Sequence, residues 1–376
     1  MIYLDYAASS PVDLEVLDKF YYITKTYFAN PNSIHNLGIE AKRLIDNSTK
    51  NIAKNLKVKE NEIIYTSGAS ESNNLVIKGL LERYSNRGKH IILSSLEHNS
   101  IISAATIMQE KGFEIDILPL KQDGMVDIDE LKDLIRDDTI LVSIAAVDSE
   151  IGIKQPIEEI GKILKEYPNC FFHTDATQAF GKINIDYSNV DLITINPHKF
   201  YGLNGISILV KKEQVNLKPQ ISGGKSTTIY RSGTPNTASI VACDVAVDKA
   251  LKYLDIRYQY VLELNKIIMN KLNEYKNIHI NSTCNSIPFI INISLKNVKA
   301  LDLVKKLEEN NVYISAKISC CPTETPSKLV YSLTKDKSLA TSSVRISLSH
   351  LTKKEEIDEF LEIFDKCYKE LENGKI

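Results

Sequence analysis

Between residues 62 and 211, short apolar runs alternate with amphipathic stretches. EIIYT (Glu62–Thr66), HIILSS (His90–Ser95), FEIDILPL (Phe113–Leu120), TILVSIAAV (Thr139–Val147), CFFHTD (Cys170–Asp175), DLITIN (Asp191–Asn196) and ISILV (Ile206–Val210) are short and rich in β-branched or aromatic residues, and so predict strands. The segments between them, such as SNNLVIKGLLERY, DIDELKDLIRDD and IEEIGKILKEY, space their apolar residues for helices. Strand and helix in such repeated alternation predict an α/β fold with a mostly parallel seven-stranded sheet, covered by helices on both faces.

The pattern changes after Asn236. Thr237–Tyr275 reads as one long, nearly unbroken helical stretch, followed by strands IHI and FIINISL and helix ALDLVKKLEENN. Strands VYISAKI and VRISL come next, and a helix from Lys353 closes the chain. This predicts two units: a large one over residues 15–250, and a smaller α+β unit built from residues 1–14 and 251–376.

The chain has 376 residues, enough for two units with a cleft between them. Forty-six basic and 48 acidic residues leave a net charge of −2, which provides no global field for nucleic acid or an anionic membrane. Six cysteines are too sparse for a disulfide scaffold and suit a reducing compartment. The start, MIYLDYAASSPVD, has no basic region of a secretory peptide, and the apolar run Leu141–Val147 is far short of a membrane span. The expectation is a cytoplasmic protein with no membrane and no direct nucleic-acid partner.

In an open parallel sheet, ligands gather beyond the carboxyl ends of the strands. Past EIIYT lies Ser67-Gly68-Ala69-Ser70, opening a helix whose N-terminus suits an anion such as phosphate; simple N-capping is its plain structural reading. Past HIILSS lie Glu97 and His98, past CFFHT Asp175 and Gln178, and past DLITIN Asn196, His198 and Lys199. Each alone reads as a cap, a packed imidazole or a solvated lysine. Together they put an acid, an imidazole, a lysine and an anion cradle on one rim. Pyridoxal phosphate chemistry requires that set: a lysine for the Schiff base, a carboxylate for the pyridinium nitrogen, and an aromatic ring such as His98 to stack on the cofactor.

The same segments resemble the cysteine desulfurases (NifS/IscS-like) of the class V aminotransferase group, fold-type I pyridoxal phosphate enzymes. The resemblance runs through IYLDYAASSPVD, ANPNSIH (Ala29–His35), TSGASESNNLVIKG (Thr66–Gly79), LEHNSI (Leu96–Ile101), SEIG (Ser149–Gly152), HTDATQAFGKI (His173–Ile183), PHKFYG (Pro197–Gly202), RSGT (Arg231–Thr234) and VRISLS. It implies that Lys199 holds pyridoxal 5'-phosphate, that Asp175 pairs with the ring nitrogen, and that Gln178 contacts the ring oxygen. It implies that His98 stacks and assists proton transfer, that Ala69, Ser70 and His198 bind phosphate, and that Ser149 and Asn196 stand at cofactor positions. Thr234 would reach the phosphate of a neighbouring subunit, implying a homodimer with shared sites. Arg345 would grip the substrate carboxylate, with Asn32 also at a substrate position.

Such enzymes need a loop cysteine that takes the substrate sulfur as a persulfide. Cys320 and Cys321 lie in ISCCPTETPSK, which reads as a loop. Alignment of the preceding strand puts Cys320 at the catalytic position, whereas counting back from Pro326-Ser327 leaves Cys321 open. A metal reading finds no second Cys/His pair at ligand spacing. Cys170, Cys243, Cys284 and Cys367 are expected to pack. The resemblance implies an enzyme that converts L-cysteine to L-alanine and passes sulfur to an acceptor protein for iron–sulfur clusters or tRNA thiolation. The alternatives are selenocysteine lyase or another C–S lyase or aminotransferase reaction, and a non-catalytic sulfur-relay scaffold. Asp148-Ser149 stands where the family has Asn-Asn or Asn-Ser, predicting an altered ring-oxygen contact; Asn196 replaces a serine, and Lys225 a His or Gln.

Overall fold

A computed structural model describes residues 1–224, 226–316 and 326–374. The chain opens on the short strand β1 (Ile2–Tyr3). The central sheet comprises β2 (Ile63–Thr66), β3 (His90–Ser94), β4 (Glu114–Leu118), β5 (Thr139–Ser143), β6 (Phe171–Asp175), β7 (Leu192–Ile195) and β8 (Ser207–Lys211), in the order β2-β8-β7-β6-β5-β3-β4. All seven predicted runs are present. Strands β4, β3, β5, β6 and β7 pair in parallel, and β8 runs antiparallel to both neighbours.

Side chains along these strands alternate between two apolar clusters. Ile92, Val142, Phe172 and Ile193 face one; Ile91, Leu141, Phe171 and Leu192 face the other. Successive residues of a strand point to opposite faces, so a sheet covered on both sides must be apolar throughout. The edge strand β4 differs, with Glu114 exposed and Asp116 partly so, which blunts an otherwise open edge.

The later strands are β9 (Ile278–Ile280), β10 (Ile290–Leu295), β11 (Val312–Tyr313) and β12 (Ser343–Ser347). β10 lies between β9 and β12, antiparallel to both, and β11 pairs in parallel with β1. Helices Ala300–Glu309 and Lys354–Asn373 set Leu303, Leu307, Phe360 and Phe364 into the cluster that also holds Ile291 and Ile293 of β10. The N-terminal strand is thus built into this part of the molecule. The Leu4 amide donates to the Tyr313 carbonyl at 2.8 Å, and the Ser347 amide to that of Leu4 at 2.7 Å.

Two sequence expectations are corrected. The stretch from Thr237 to Tyr275 is two helices, Thr237–Lys252 and Leu254–Leu272, separated at Tyr253. No glycine or proline marks the break, and the hydrogen bonds from Tyr253 to Lys249 and from Arg257 to Tyr253 bridge it. The predicted strand VYISAKI is only two residues long among the described residues, with Ser315 making one isolated bridge to Arg345. Helices Leu14–Thr26 and Asn36–Leu56 precede the sheet. Among the described residues, no helix is long and apolar enough to cross a membrane.

Candidate active site

The parallel strands end on one rim. β2 runs into helix Ala69–Tyr84, and β3 into Glu97-His98 and helix Asn99–Glu110. β6 ends at Asp175, and β7 passes through Asn196 into the short turn Pro197–Lys199. These segments enclose a cavity of about 480 Å³. Its walls include Ala69, Ser70, His98, Ser149, Asp175, Gln178, Asn196, His198, Lys199 and Arg345. Two predicted residues are not brought there. Asn32 is exposed on its loop, and the exposed Thr234 borders a separate cavity beside Ser67. Cys320, Cys321 and Lys225 lie outside the described residues. Of the four cysteines expected to pack, Cys170, Cys243 and Cys367 are buried, but Cys284 is exposed.

The Lys199 ammonium donates to the carbonyls of Ala7 and Ala8, at 2.9 and 2.5 Å. Gln178 Nε2 donates to the same Ala7 carbonyl at 2.9 Å. The segment after β1 therefore orients both side chains, and it is fixed in turn by the Ala7 amide bonding to Ser347 Oγ at 2.9 Å.

Asp175 lies opposite. Its Oδ2 accepts from Asn73 Nδ2 at 2.8 Å, and its Oδ1 from the Thr177 amide at 2.9 Å. Asn73 also donates to Ser100 Oγ at 2.9 Å, and that hydroxyl is 2.9 Å from His98 Nδ1. The Ser100 amide donates to the same nitrogen at 3.1 Å, so a neutral His98 ring carries its proton on Nε2. Burial lowers the His98 pKa and favours that neutral ring. His98 thereby caps its helix and faces the cavity at once.

At the far end, the first turn of helix Ala69–Tyr84 has backbone N–H groups without intrahelical acceptors, and the helix dipole is positive there. His198 faces this end with its Nδ1 2.9 Å from Asn196 Oδ1. Asn196, the residue in the serine position, is thus engaged with the imidazole beside it.

Arg345 on β12 is 2% exposed. Its Nη2 donates to Asp5 Oδ1 at 2.7 Å and its Nη1 to the Ser149 carbonyl at 2.6 Å, while the buried Nε has no hydrogen-bond partner among the described residues. The Asp148 carboxylate accepts from the amides of Glu150, Ile151 and Ile153 at 2.7–2.9 Å. It therefore organises the turn that presents Ser149 to Arg345. Gly152 completes that turn at φ +80°, where a Cβ would lie 2.8 Å from Ile290 Cβ.

Three functional groups were not assigned from sequence. Asn73 is fully buried, in a motif noted above, on a helix face that otherwise buries Val76 and Leu80. A polar residue at a buried helical position was its available signal. Lys182 is 7% exposed and donates to Gln178 Oε1 at 2.6 Å. Ala7 and Ala8 act through backbone carbonyls, which residue type cannot reveal. Glu97 Oε1 accepts from Ser94 Oγ and the Ala145 amide, but Oε2 is buried without a hydrogen-bond partner among the described residues. Burial pushes its carboxyl pKa up to about 8.

The donor set fits pyridoxal phosphate. One wall offers a primary amine, another a hydrogen-bonded carboxylate beside an imidazole, and one end an anion-favouring helix terminus. Arg345 lines the same cavity and brings to it a cation that suits a second anion.

Comparison with known proteins agrees with this geometry. The family model Aminotransferase class-V matches residues 2–360. The chain is 36% identical over 375 residues to a cysteine desulfurase IscS from Dictyoglomus turgidum, covering 98% of this chain and 95% of that one. Among solved structures, a NifS-like protein superposes with a TM-score of 0.92 at 30% identity, covering 98% of this chain and 99% of the other. SspA in complex with cysteine superposes with a TM-score of 0.82 at 32% identity, covering 93% and 99%. Matched along almost its whole length, the chain belongs to the class V aminotransferase family, on its NifS/IscS-like cysteine desulfurase branch.

Proposed function

We propose that this protein is a pyridoxal-phosphate-dependent cysteine desulfurase. It converts L-cysteine to L-alanine and retains the sulfur as a persulfide, for iron–sulfur cluster assembly or tRNA thiolation. The observation that carries this reading is the convergence of the Lys199 amine, Asp175, His98, Arg345 and a helix N-terminus on one cavity.

When bound, pyridoxal phosphate supplies a carbonyl for amine linkage and an electron sink for charge developing at the substrate Cα. Lys199 is the residue that anchors it, and Lys199 afterwards moves the proton at Cα. Asp175, held as an acceptor by Asn73 and the Thr177 amide, keeps a proton on the ring nitrogen. His98 would stack on the ring and assist proton transfer, and Gln178 would offer its Nε2 to the ring oxygen. The Ala69–Ser70 turn, His198 and Asn196 would hold the phosphate, and the Ser149 carbonyl would position Arg345. Arg345 binds the substrate carboxylate, and Asn32 acts on the substrate side.

Cys320 is the nucleophile. Its sulfur bonds to the substrate Sγ as the Cβ–Sγ bond breaks. One cysteine and one enzyme thiol thus become one alanine and one persulfide. An acceptor protein then takes that sulfur. Thr234, exposed at the cradle's outer side, suits a homodimer in which each subunit completes the other's phosphate site. The working location is the cytoplasm.

The test is visible absorbance together with alanine formation from L-cysteine. Wild type should show both, and Lys199→Ala neither. An absorbance band that survives in Lys199→Ala would refute the assignment.

A further inference from the structure

Lys182 is a buried lysine one hydrogen bond behind the cavity wall. It is 7% exposed and forms no ion pair among the described residues; its ammonium donates to Gln178 Oε1 at 2.6 Å. The charged and titratable groups that face it are Lys199 and Arg345, both cationic, and His198. Arg345 is paired with Asp5, and Asp175 lines the same cavity. Burial, followed by the charges of Lys199 and Arg345, lowers the Lys182 pKa to about 7. Such a lysine is costly to keep unless something negative enters the cavity beside it.

The hydrogen bond also has a direction. In its ammonium form Lys182 only donates, so the oxygen of the Gln178 amide then faces Lys182 and the NH₂ faces away. The NH₂ indeed meets the Ala7 carbonyl, which Lys199 also contacts. Its second hydrogen is then left for the cavity, and Gln178 can present only a donor there. Without Lys182 only the Ala7 carbonyl would hold the amide donor-side out, and an amide turned the other way would offer its oxygen and repel an anionic oxygen on a bound ligand.

Resting on the proposed function, we infer that Lys182 is a positioning residue for the cofactor. It locks the Gln178 amide donor-side toward the ring oxygen, and its charge favours that oxygen in the anionic form. It touches neither substrate nor cofactor.

The experiment compares wild type with Lys182→Met, Lys182→Arg and Gln178→Leu, each reconstituted with pyridoxal phosphate. The readout is the pH midpoint of the visible absorbance change, with cofactor retention on dialysis as a second measure. Loss of a nearby cation makes proton loss harder, so Lys182→Met should raise the midpoint by about one unit, the usual scale of such perturbations. It should also weaken retention several-fold. Lys182→Arg, which keeps charge and donors, should stay near wild type. Adding Lys182→Met to Gln178→Leu should change the midpoint less than in the wild-type background, because part of the effect runs through the amide. An unchanged midpoint in Lys182→Met, even with a lower melting temperature, would overturn the inference and leave Lys182 a packing residue. If Lys182→Met does not fold, Lys182→Gln takes its place under the same criteria. Absence of visible absorbance in wild type would instead refute the proposed function, so the two failures are distinguishable.

Discussion

Replacing Arg345 with lysine separates substrate binding from cofactor binding. A guanidinium has five N–H donors in a fixed fork. Here one goes to Asp5 at 2.7 Å and one to the Ser149 carbonyl at 2.6 Å, and the side chain lines the cavity. A bound carboxylate can take the free part of the fork while Asp5 and Ser149 keep the rest. Lysine retains the charge and can keep Asp5, but its single nitrogen cannot also hold a carboxylate in two-point geometry. The loss is then about one charge-assisted hydrogen bond, roughly 1.5–3 kcal/mol. That corresponds to a fall in kcat/KM of about 10- to 150-fold, carried mainly by KM. The assay is alanine formation across a range of L-cysteine concentrations, with visible absorbance as the control. Absorbance should be unchanged, because Arg345 is not asked to hold the cofactor. A KM within twofold of wild type, or absorbance lost in parallel with activity, would refute this role.

Asp175→Asn keeps the shape and the Thr177 contact but removes the carboxylate charge. Activity should drop by about 10²-fold or more, on the scale of lost electrostatic stabilisation, while urea unfolding still reports a folded protein; near-normal turnover would contradict the pairing. Glu97 makes stability pH-dependent. Its carboxyl ionises near 4.5 when unfolded and near 8 when folded, so its stabilising contribution is complete below pH 4.5 and is lost as pH rises toward 8. Glu97→Gln mimics the neutral acid at all pH values. It should therefore gain on wild type by about 1.4 kcal/mol per pH unit within that window, read from urea midpoints at pH 6 and pH 8. Parallel stability profiles would show that Glu97 is already ionised in the fold.

The sheet was legible because a strand buried on both faces must be apolar at every position, and the seven runs carry that mark plainly. Functional side chains at strand ends were legible for the related reason that polar residues there break the pattern, as at Asp175, His98 and Lys199. The break at Tyr253 left no trace, since the apolar spacing continues across it. Asp148 was read only as altering a ring contact; its carboxylate also binds backbone amides two to five residues ahead, a local geometry that residue type does not specify. The grip of Ala7 and Ala8 on Lys199 was equally hidden, because it joins carbonyls nearly two hundred residues distant in the chain. Lys182 lay within a quoted motif, but residue type alone does not reveal its burial.

The central claim is that sulfur leaves L-cysteine and stays on this chain. Mass spectrometry of peptides from the pyridoxal-phosphate-loaded protein after L-cysteine treatment tests it most directly. One added sulfur should appear on Cys320, absent in Cys320→Ser and accompanied by one alanine per persulfide. Alanine formed with no sulfur on Cys320, or persulfide undiminished in Cys320→Ser, would contradict it.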